Sequence, residues 1–389
     1  MLSKRIQTLS PSLTLAITTL AKELKAEGKD VLSFSAGEPD FDTPDAVKDA
    51  AKNALDKGQT KYTAVPGTPE LLQAVSQKLK RDNGLTYAPN QIQTNNGAKH
   101  SLFNLFQAVI DEGDEVIIPA PYWVTYPELV KYSGGIPVVI ETDDSSGFKI
   151  TAEQLKNAIT PKTKMLILTS PSNPTGAVYT KEELEALAEV LKGTDIIVAS
   201  DEMYEKLIFG ETRFVSTASI SEDMFQRTIT INGLSKSAAM TGWRFGYIAS
   251  ANTELITVMN KLQSQSTSNI NSLTQAAAIT GLDGSIENDI EEMRVAFEAR
   301  CNEAVDLFNA VEGLSVVKPN GAFYLFVNIK EVSNDSMQFC KDLLENQGVA
   351  VVPGIGFGAE GYFRFSFATD IETIKEGIRR IEAFVQKQK

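Results

Sequence analysis

Five polar side chains with an unusual combination of chemistry follow short apolar runs of the kind that form buried strands. Asn173 comes after the run MLILTS, Asp201 and Tyr204 come after IIVAS, and Lys236 and Arg244 come after TITIN. In open α/β sheets ligands bind at the carboxyl ends of the strands, so we expect these five side chains to converge. An amine, a carboxylate, a phenol, an amide and a guanidinium together suit a ligand with an aldehyde, a basic ring nitrogen and a phosphate.

Pyridoxal 5'-phosphate carries all three of these groups, and the five residues can be assigned to them one by one. The Lys236 amine would form a Schiff base with the aldehyde, and Asp201 would keep a proton on the pyridine nitrogen. Tyr204 and Asn173 would hydrogen-bond the phenolic oxygen of the ring. Arg244 would hold the phosphate through two parallel hydrogen bonds.

A second phosphate-binding element is predicted in the stretch QTNNGAKHSLFNLF. Gly97 follows the short run QIQT and precedes a helical pattern in which Leu102 and Leu105 share one face. The free N–H groups at the start of a helix, reached through a glycine turn, attract anions. This signal is weak when taken alone, and it gains weight beside Lys236 and Arg244.

The elements that must position these residues alternate between strands and helices. Strand-like runs occupy 115–119, 137–142, 165–170, 196–200, 228–232 and 245–249, with helical stretches such as 181–192 between them. Short apolar strands separated by helices predict an α/β fold, with a mostly parallel sheet that helices cover on both faces. We expect residues 46–289 to form this large cofactor-binding domain.

The pattern changes near residue 289, which indicates a second, smaller domain. A long helix is predicted over 289–311, followed by strands at 322–329, 349–353 and 362–368 and by helices near 335–346 and 371–387. We expect residues 290–389, together with residues 1–45, to form an α+β domain built from both termini.

Composition disfavours several other classes of function. The 389 residues include 50 acidic and 37 basic side chains, and the net charge of −13 disfavours binding to nucleic acid or to anionic membranes. No run approaches the ~20 apolar residues of a membrane span, so we expect a cytoplasmic protein without membrane partners. The single histidine, His100, and the two distant cysteines, Cys301 and Cys340, predict no metal site.

Motifs along the whole chain resemble those of one enzyme family. They are SAGEPDFDTP, TKYTAVPGTPELL, NNGAKHSLFNLFQ, PAPYWVTYPELV, SPSNPTGAVY, SDEMYE, GLSKSAAMTGWRFGY, QSQSTSN, PNGAFY, VVPGIGFG and FRFSFA. In this order they resemble the class I, fold type I aminotransferases that depend on pyridoxal phosphate, and most closely the prokaryotic aspartate aminotransferase subgroup. The resemblance implies a seven-stranded sheet in the large domain and a homodimer with shared active sites.

The resemblance also implies a role for each matching position. Three positions match catalytic residues: Lys236 the Schiff-base lysine that shuttles the substrate proton, Asp201 its pyridinium partner, and Tyr204 a phenolate contact. The further matches to cofactor contacts are Gly97, Ala98, Trp123, Asn173, Ser235 and Arg244, with Tyr62 of the partner subunit completing the phosphate cup. Arg364 matches the arginine that binds the substrate α-carboxylate, assisted by Asn173 and the Gly37 backbone.

In this resemblance, Lys99 is the residue that indicates the class of substrate. In the prokaryotic subgroup the matching lysine reaches the distal carboxylate of a dicarboxylic amino acid, and Trp123 borders the same substrate. An arginine of the neighbouring chain does this in the better-known subgroup, and QSQSTSN contains no arginine. The implied amino donors are L-aspartate and L-glutamate, with 2-oxoglutarate and oxaloacetate as acceptors. One departure is Gly233, where other relatives place a serine beside the phosphate.

Three alternative functions stay open at this point. An aromatic or prephenate aminotransferase would keep the same site, since Lys99 only biases the choice of substrate. A lyase of the same fold, such as a carbon–sulfur β-lyase, would use the same pair of Lys236 and Asp201. A non-enzymatic effector domain of a regulator would not need the catalytic set, and the chain has no basic helix-turn-helix extension.

One glycine-rich motif is not assigned to a nucleotide. PGIGFGAEG, at 353–361, has a spacing close to a dinucleotide fingerprint. That fingerprint requires a strand, a turn and then a helix, whereas YFRFSFA follows here and has the pattern of a strand. We expect 353–361 to form a loop that shapes the substrate entrance.

Overall fold

The computed structural model describes residues 2–11 and 13–388. The outer ends of the predicted small domain, Met1 and Lys389, lie outside the described residues. Within them the chain forms thirteen α-helices: α1 (Leu13–Ala26), α2 (Asp45–Asp56), α3 (Pro69–Asn83), α4 (Ala98–Val109), α5 (Thr125–Tyr132), α6 (Ala152–Ala158), α7 (Lys181–Leu191), α8 (Glu222–Arg227), α9 (Thr253–Ser264), α10 (Ser272–Leu282), α11 (Glu287–Asn309), α12 (Ser336–Gln347) and α13 (Ile371–Val385).

The same part of the chain contains thirteen strands in three sheets. They are β1 (Leu32–Ser33), β2 (Ile92–Asn96), β3 (Glu115–Pro119), β4 (Ile136–Ile140), β5 (Thr163–Thr169), β6 (Ile197–Asp201), β7 (Thr228–Gly233), β8 (Phe245–Ser250), β9 (Ser315–Val316), β10 (Tyr324–Asn328), β11 (Val349–Ala350), β12 (Val352–Pro353) and β13 (Tyr362–Ser366).

The largest sheet has seven strands in the order β2–β8–β7–β6–β5–β3–β4. β4, β3, β5, β6 and β7 are parallel, while β8 is antiparallel to both β7 and β2. Val116 and Ile118 of β3 join one hydrophobic core and Ile117 joins another, so the strand is buried on both faces. Near-continuous apolar strands require such double cover, and the predicted fold class is confirmed.

Helix ends follow from local sequence signals, as α7 illustrates. The Thr180 hydroxyl accepts a hydrogen bond from the Glu183 N–H at 3.2 Å, and the Glu183 carboxylate accepts one from the Thr180 N–H at 2.8 Å. This capping box satisfies backbone donors that the helix itself leaves unpaired. Leu184 and Leu187 of α7 are buried, in agreement with the helical spacing that predicted residues 181–192.

The two smaller sheets join the ends of the chain. β12, β13, β10 and β9 form an antiparallel sheet, and β1 pairs with β11 in parallel, with Leu32 opposite Val349. The single strand predicted over 349–353 is wrong, because the chain forms β11 and β12 on either side of Val351. The first half pairs with β1 and the second with β13, so the chain changes partner there. The domain boundaries stay a prediction.

None of the helices in the described residues is long and apolar enough to cross a membrane. The glycine-rich stretch 353–361 contains a short 3-10 turn, Gly354–Phe357, and is followed by β13. It therefore lacks the long helix that a dinucleotide fingerprint requires.

Candidate functional site

The carboxyl ends of β5, β6 and β7 border a cavity of about 460 Å³. The strand register places Thr169 opposite Asp201, and Asp201 opposite Ile231. The predicted site residues that line this cavity are Gly37, Ala98, Lys99, Trp123, Asn173, Asp201, Tyr204, Ser235, Lys236, Arg244 and Arg364. Gly97 packs against the Arg244 guanidinium. Tyr62 does not line the cavity and is exposed elsewhere on the surface.

Lys236 follows the end of β7 and is partly buried. Its Nζ donates a hydrogen bond to the Gly37 carbonyl and lies 5.9 Å from the centre of the Tyr204 ring. Burial lowers the pKa of Lys236 to about 8, and the nearby Arg364 guanidinium contributes to the shift. A lowered pKa leaves more of the amine neutral at neutral pH, and the neutral amine is the nucleophile.

Asp201, the last residue of β6, is 5% exposed. Its carboxylate accepts a hydrogen bond from the Tyr126 hydroxyl at 2.7 Å and one from the Met203 N–H at 3.3 Å. Burial raises the pKa of Asp201, and the bond from Tyr126 opposes this rise. A carboxylate has about four acceptor positions, so Asp201 can accept a further donor from the cavity. The contact of Tyr126 with Asp201 could not be predicted from the sequence, because the pattern around Tyr126 is that of any core aromatic residue.

Arg364, in β13, is only 2% exposed. Its Nη1 donates to the Asn173 side-chain oxygen at 2.9 Å and its Nη2 donates to the Ser35 carbonyl at 2.7 Å. The rings of Tyr324 and Phe357 lie 4.4 Å and 5.2 Å from the guanidinium carbon.

The surroundings of the Arg364 guanidinium favour the binding of an anion. Among the described residues no carboxylate pairs with it, its Nε has no hydrogen-bond partner, and burial lowers its pKa. A buried charge without a counter-ion is costly, and a carboxylate that accepts two hydrogen bonds from the guanidinium offsets that cost.

Another part of the cavity lining contains the first residues of α4 and the guanidinium of Arg244. In the part of the chain that the structure describes, no side chain caps α4 at Ala98, so the first N–H groups of the helix are open to an anion. Gly97 has a φ of 79°, and a Cβ at this position would lie 2.3 Å from Nη2 of Arg244. Glycine therefore allows Arg244 to pack against the start of the helix. Ser235 borders the same cavity.

The departure at Gly233 has a steric reason. A Cβ at Gly233 would lie 2.6 Å from the Phe245 carbonyl oxygen and 3.0 Å from the Gly246 Cα. β7 and β8 are too close at this point for a serine side chain, so the missing hydroxyl follows from the packing of these two strands.

Lys99 and Trp123 form another wall of the cavity, where the Lys99 Nζ lies 4.9 Å from the centre of the Trp123 ring. Burial lowers the pKa of Lys99, and Arg244 lowers it further. Helix α1 covers the cavity with Thr14, Leu15, Thr18 and Lys22. The sequence of α1 gave no indication of which surface this helix would cover.

Tyr62 does not enter the cavity of its own chain and is 91% exposed. Two buried glutamines hold its loop from the inside. The Gln263 side chain donates to the Val65 carbonyl at 3.1 Å, and the Gln275 side chain donates to the Thr63 hydroxyl at 2.8 Å. The Tyr62 side chain thus projects outward from a loop that is fixed to the protein.

Tyr324 is a second site residue that sequence analysis missed, although it lies in the quoted motif PNGAFY. It is fully buried, borders the cavity, and places its hydroxyl 2.9 Å from the Tyr204 hydroxyl. Burial raises the pKa of both phenols, so both are protonated at neutral pH.

Comparison with known proteins gives consistent matches over the whole chain. The family profile described as aminotransferase class I and II matches residues 29–381. A protein named aspartate aminotransferase from Bacillus sp. strain YM-2 is 51% identical over 391 residues, covering 99% of both chains. One named aspartate/prephenate aminotransferase from Nitrosomonas europaea is 46% identical over 396 residues, with the same coverage. The solved aspartate aminotransferase of Rhizobium meliloti has a TM-score of 0.96 at 43% identity, and 99% of each chain is covered.

Proposed function

The chain belongs to the class I and II aminotransferases, and we propose that it transfers an amino group between L-aspartate or L-glutamate and 2-oxoglutarate or oxaloacetate. The observation that carries this proposal is Arg364, a buried guanidinium that pairs with no carboxylate of the described residues and lies in the same cavity as the Lys99 and Lys236 amines. Arg364 suits the α-carboxylate of the substrate and Lys99 suits a distal one. The Bacillus relative, named aspartate aminotransferase, supports the same substrate.

The donor set fits pyridoxal 5'-phosphate as the cofactor. Asp201 has acceptor positions left for a protonated ring nitrogen, and Arg244 lies beside the uncapped start of α4, where a phosphate would bind. The Trp123 ring lines the same cavity and would border the pyridine ring, and Tyr204 and Asn173 would contact its phenolic oxygen. When bound, this cofactor supplies an electron sink for the charge that remains after the substrate loses its Cα proton.

Lys236 is the residue that we assign to proton transfer. Its Nζ, with a pKa lowered to about 8, can accept the proton from the substrate Cα and hold it for return. Arg364 and Asn173 bind the α-carboxylate and thereby orient the Cα–H bond toward Lys236. Because the same residues bind an amino acid and then a 2-oxo acid, we expect ping-pong kinetics.

We further propose that the enzyme is a homodimer in which Tyr62 of the partner subunit completes the phosphate site. Two features support this arrangement. Tyr62 is 91% exposed on its own chain, and a groove of about 820 Å³, partly lined by Lys48 and Trp243, adjoins Arg244. A second copy whose loop entered this groove would bury its exposed tyrosine beside the phosphate.

Prephenate or an aromatic amino acid is a second candidate substrate. The Nitrosomonas europaea relative, named aspartate/prephenate aminotransferase, supports it. Prephenate also carries two carboxylates, so Lys99 and Arg364 suit it on the same electrostatic grounds.

A panel of half-reactions tests the proposed function. Single amino acids are added to the holoenzyme, and the loss of its visible absorbance band is timed. We expect aspartate and glutamate to react faster than alanine and phenylalanine. Lys99→Ala removes the cation for the distal carboxylate, so it should lower kcat/KM roughly 10- to 100-fold for aspartate and about 2-fold or less for alanine.

Lys156→Ala, at an exposed position of α6, is the matched control and should leave all four rates unchanged. Equal losses for all four amino acids in Lys99→Ala would contradict the dicarboxylate assignment. If no amino acid changed the absorbance, transamination would be wrong, and pyruvate released from cysteine would favour a lyase.

A further inference from the structure

Two buried phenols share a single hydrogen bond at the wall of the cavity. The hydroxyls of Tyr204 and Tyr324 lie 2.9 Å apart, and the geometry alone allows either to donate. Each hydroxyl carries one hydrogen, and the bond between them uses only one. Among the described residues neither hydroxyl has another hydrogen-bond partner, so one hydrogen is free for an acceptor that enters the cavity.

The position of Arg364 favours Tyr324 as the donor of this hydrogen bond. Its guanidinium carbon lies 4.4 Å from the centre of the Tyr324 ring, and a cation over the face of a phenol makes its O–H a better donor. Burial raises the pKa of Tyr324, but Arg364 opposes the rise. Burial raises the pKa of Tyr204 well above its ordinary value, and Tyr324 raises it further. Arg364 also lowers the pKa of Tyr204, but the guanidinium lies over the ring of Tyr324, and this geometry makes Tyr324 the better donor of the pair.

Tyr324 also lies close to the amine of the site. A Cβ added to Gly37 would lie 3.1 Å from the Tyr324 hydroxyl, and the Gly37 carbonyl accepts the hydrogen bond from Lys236. A side chain at Gly37 would crowd this hydroxyl, so glycine leaves the Tyr324 hydroxyl room to reach Tyr204.

We propose that Tyr324 is a positioning residue, whose hydroxyl donates to Tyr204 and thereby directs the Tyr204 hydrogen to the phenolic oxygen of the cofactor. This inference rests on the proposed function, because the cofactor oxygen is the acceptor that the free hydrogen needs. Two hydrogen bonds in series strengthen each other, so Tyr204 donates more strongly when its own oxygen accepts from Tyr324. A stronger donor stabilises the negative cofactor oxygen, which lowers the pKa of the lysine-bound cofactor.

The same geometry links substrate binding to the cofactor. A carboxylate bound at Arg364 neutralises the charge that makes Tyr324 a good donor. The bond to Tyr204 then weakens, and the pKa of the lysine-bound cofactor rises. Tyr324 carries part of this effect, because its ring lies directly against the guanidinium and its hydroxyl contacts Tyr204. Asn173, which accepts a hydrogen bond from Arg364 at 2.9 Å, is a second route and is unchanged in Tyr324→Phe.

The test is a double-mutant cycle read by visible absorbance. The pH titration of the holoenzyme band is recorded for the wild type, Tyr324→Phe, Tyr204→Phe and the double variant, with and without maleate, a dicarboxylate that has no amino group. We expect Tyr324→Phe to raise the pKa of the transition by about 0.5 to 1 unit, the size of one hydrogen bond. In the Tyr204→Phe background it should cause no further change. The shift caused by maleate should be smaller in Tyr324→Phe than in the wild type.

Tyr362→Phe, on the neighbouring strand, is the matched control, because it removes the hydroxyl of another buried tyrosine, which accepts from Lys330 at 2.9 Å outside the cavity. It should leave the absorbance pKa unchanged, and thermal unfolding of all variants monitors the fold. No shift in Tyr324→Phe, or an equal shift in the Tyr204→Phe background, would overturn the proposal for Tyr324 but not the proposed function. If the wild type formed no visible band with pyridoxal phosphate, the proposed function would be wrong and this inference with it.

Discussion

Glu202 follows Asp201 in the chain, but the two carboxylates have different surroundings. Asp201 borders the cavity, whereas Glu202 is 1% exposed and accepts hydrogen bonds from the Ser216 hydroxyl at 2.8 Å and the Thr217 N–H at 3.1 Å. Burial raises the pKa of Glu202 to about 7, and the carboxylate of Glu205 contributes to the rise. A buried carboxyl of this kind makes stability depend on pH.

Glu202→Gln should remove part of that pH dependence. The folded pKa of about 7 lies above the ordinary value of 4.5, so the folded state binds the proton more tightly. This contribution to the free energy of unfolding is fully present below pH 4.5. It is lost as the pH rises from 4.5 through 7, and the total loss is up to about 3 kcal/mol. Urea unfolding at pH 5 and pH 8 should therefore differ less for Glu202→Gln than for the wild type. The exposed Glu153→Gln is the control, and identical pH dependence in all three proteins would refute the assignment.

At the residue scale, sequence patterns identified the groups with distinctive chemistry and missed those that look like core. Lys236 and Asp201 could be assigned to a candidate site because charged residues directly after buried apolar strands lie where ligands bind in α/β sheets. Tyr126 and Tyr324 could not, because a buried tyrosine has the same pattern whether or not its hydroxyl contacts a functional group. Only the fold brings these two hydroxyls to Asp201 and Tyr204.

At the scale of elements, a buried amide network connects β2, α4 and α9 to the loop that carries Tyr62. The Gln263 side-chain oxygen accepts from Asn95 at 2.7 Å and from Asn104 at 3.0 Å. Its nitrogen donates to the carbonyls of Thr94 and Val65. One side chain thus fixes both the strand that leads to the start of α4 and the exposed loop.

Gln263→Leu should destabilise the protein by about 3 kcal/mol, because it leaves several buried amide and carbonyl groups without partners. Hydrogen exchange of the loop around Val65 should accelerate as well. Gln265→Leu, at an exposed position just beyond the end of α9, is the control and should cost less than about 0.5 kcal/mol. Equal urea midpoints for the two variants would show that the network contributes little.

Strand pairing shows why some elements could not be predicted from the chain alone. The apolar run at 349–353 has the composition of one strand, but its halves pair with β1 and β13, which lie far away in sequence. Partner choice depends on contacts between distant segments, and local periodicity does not encode it. The central strands of the large sheet were predicted closely, because buried parallel strands are apolar throughout.

At the scale of the whole molecule, the net charge of −13 opposes the approach of a dicarboxylate. The cavity compensates locally, because the basic residues in its lining outnumber the acidic residues Glu38 and Asp201. The basic residues are Lys22, Lys99, Lys236, Arg244 and Arg364. The proposed homodimer would add Tyr62 of the partner subunit to this site. Cofactor retention should therefore weaken when the protein is diluted below its dimerisation range, as mass action requires.

The most direct test of the central claim is to trap the cofactor on the chain. The holoenzyme is reduced with borohydride and digested, and the peptides are mapped by mass spectrometry. We predict that the pyridoxyl group is found on Lys236, and that Lys236→Ala yields no modified peptide while it still folds. A pyridoxyl group on another lysine, such as Lys99, or modification that persists in Lys236→Ala, would contradict the account.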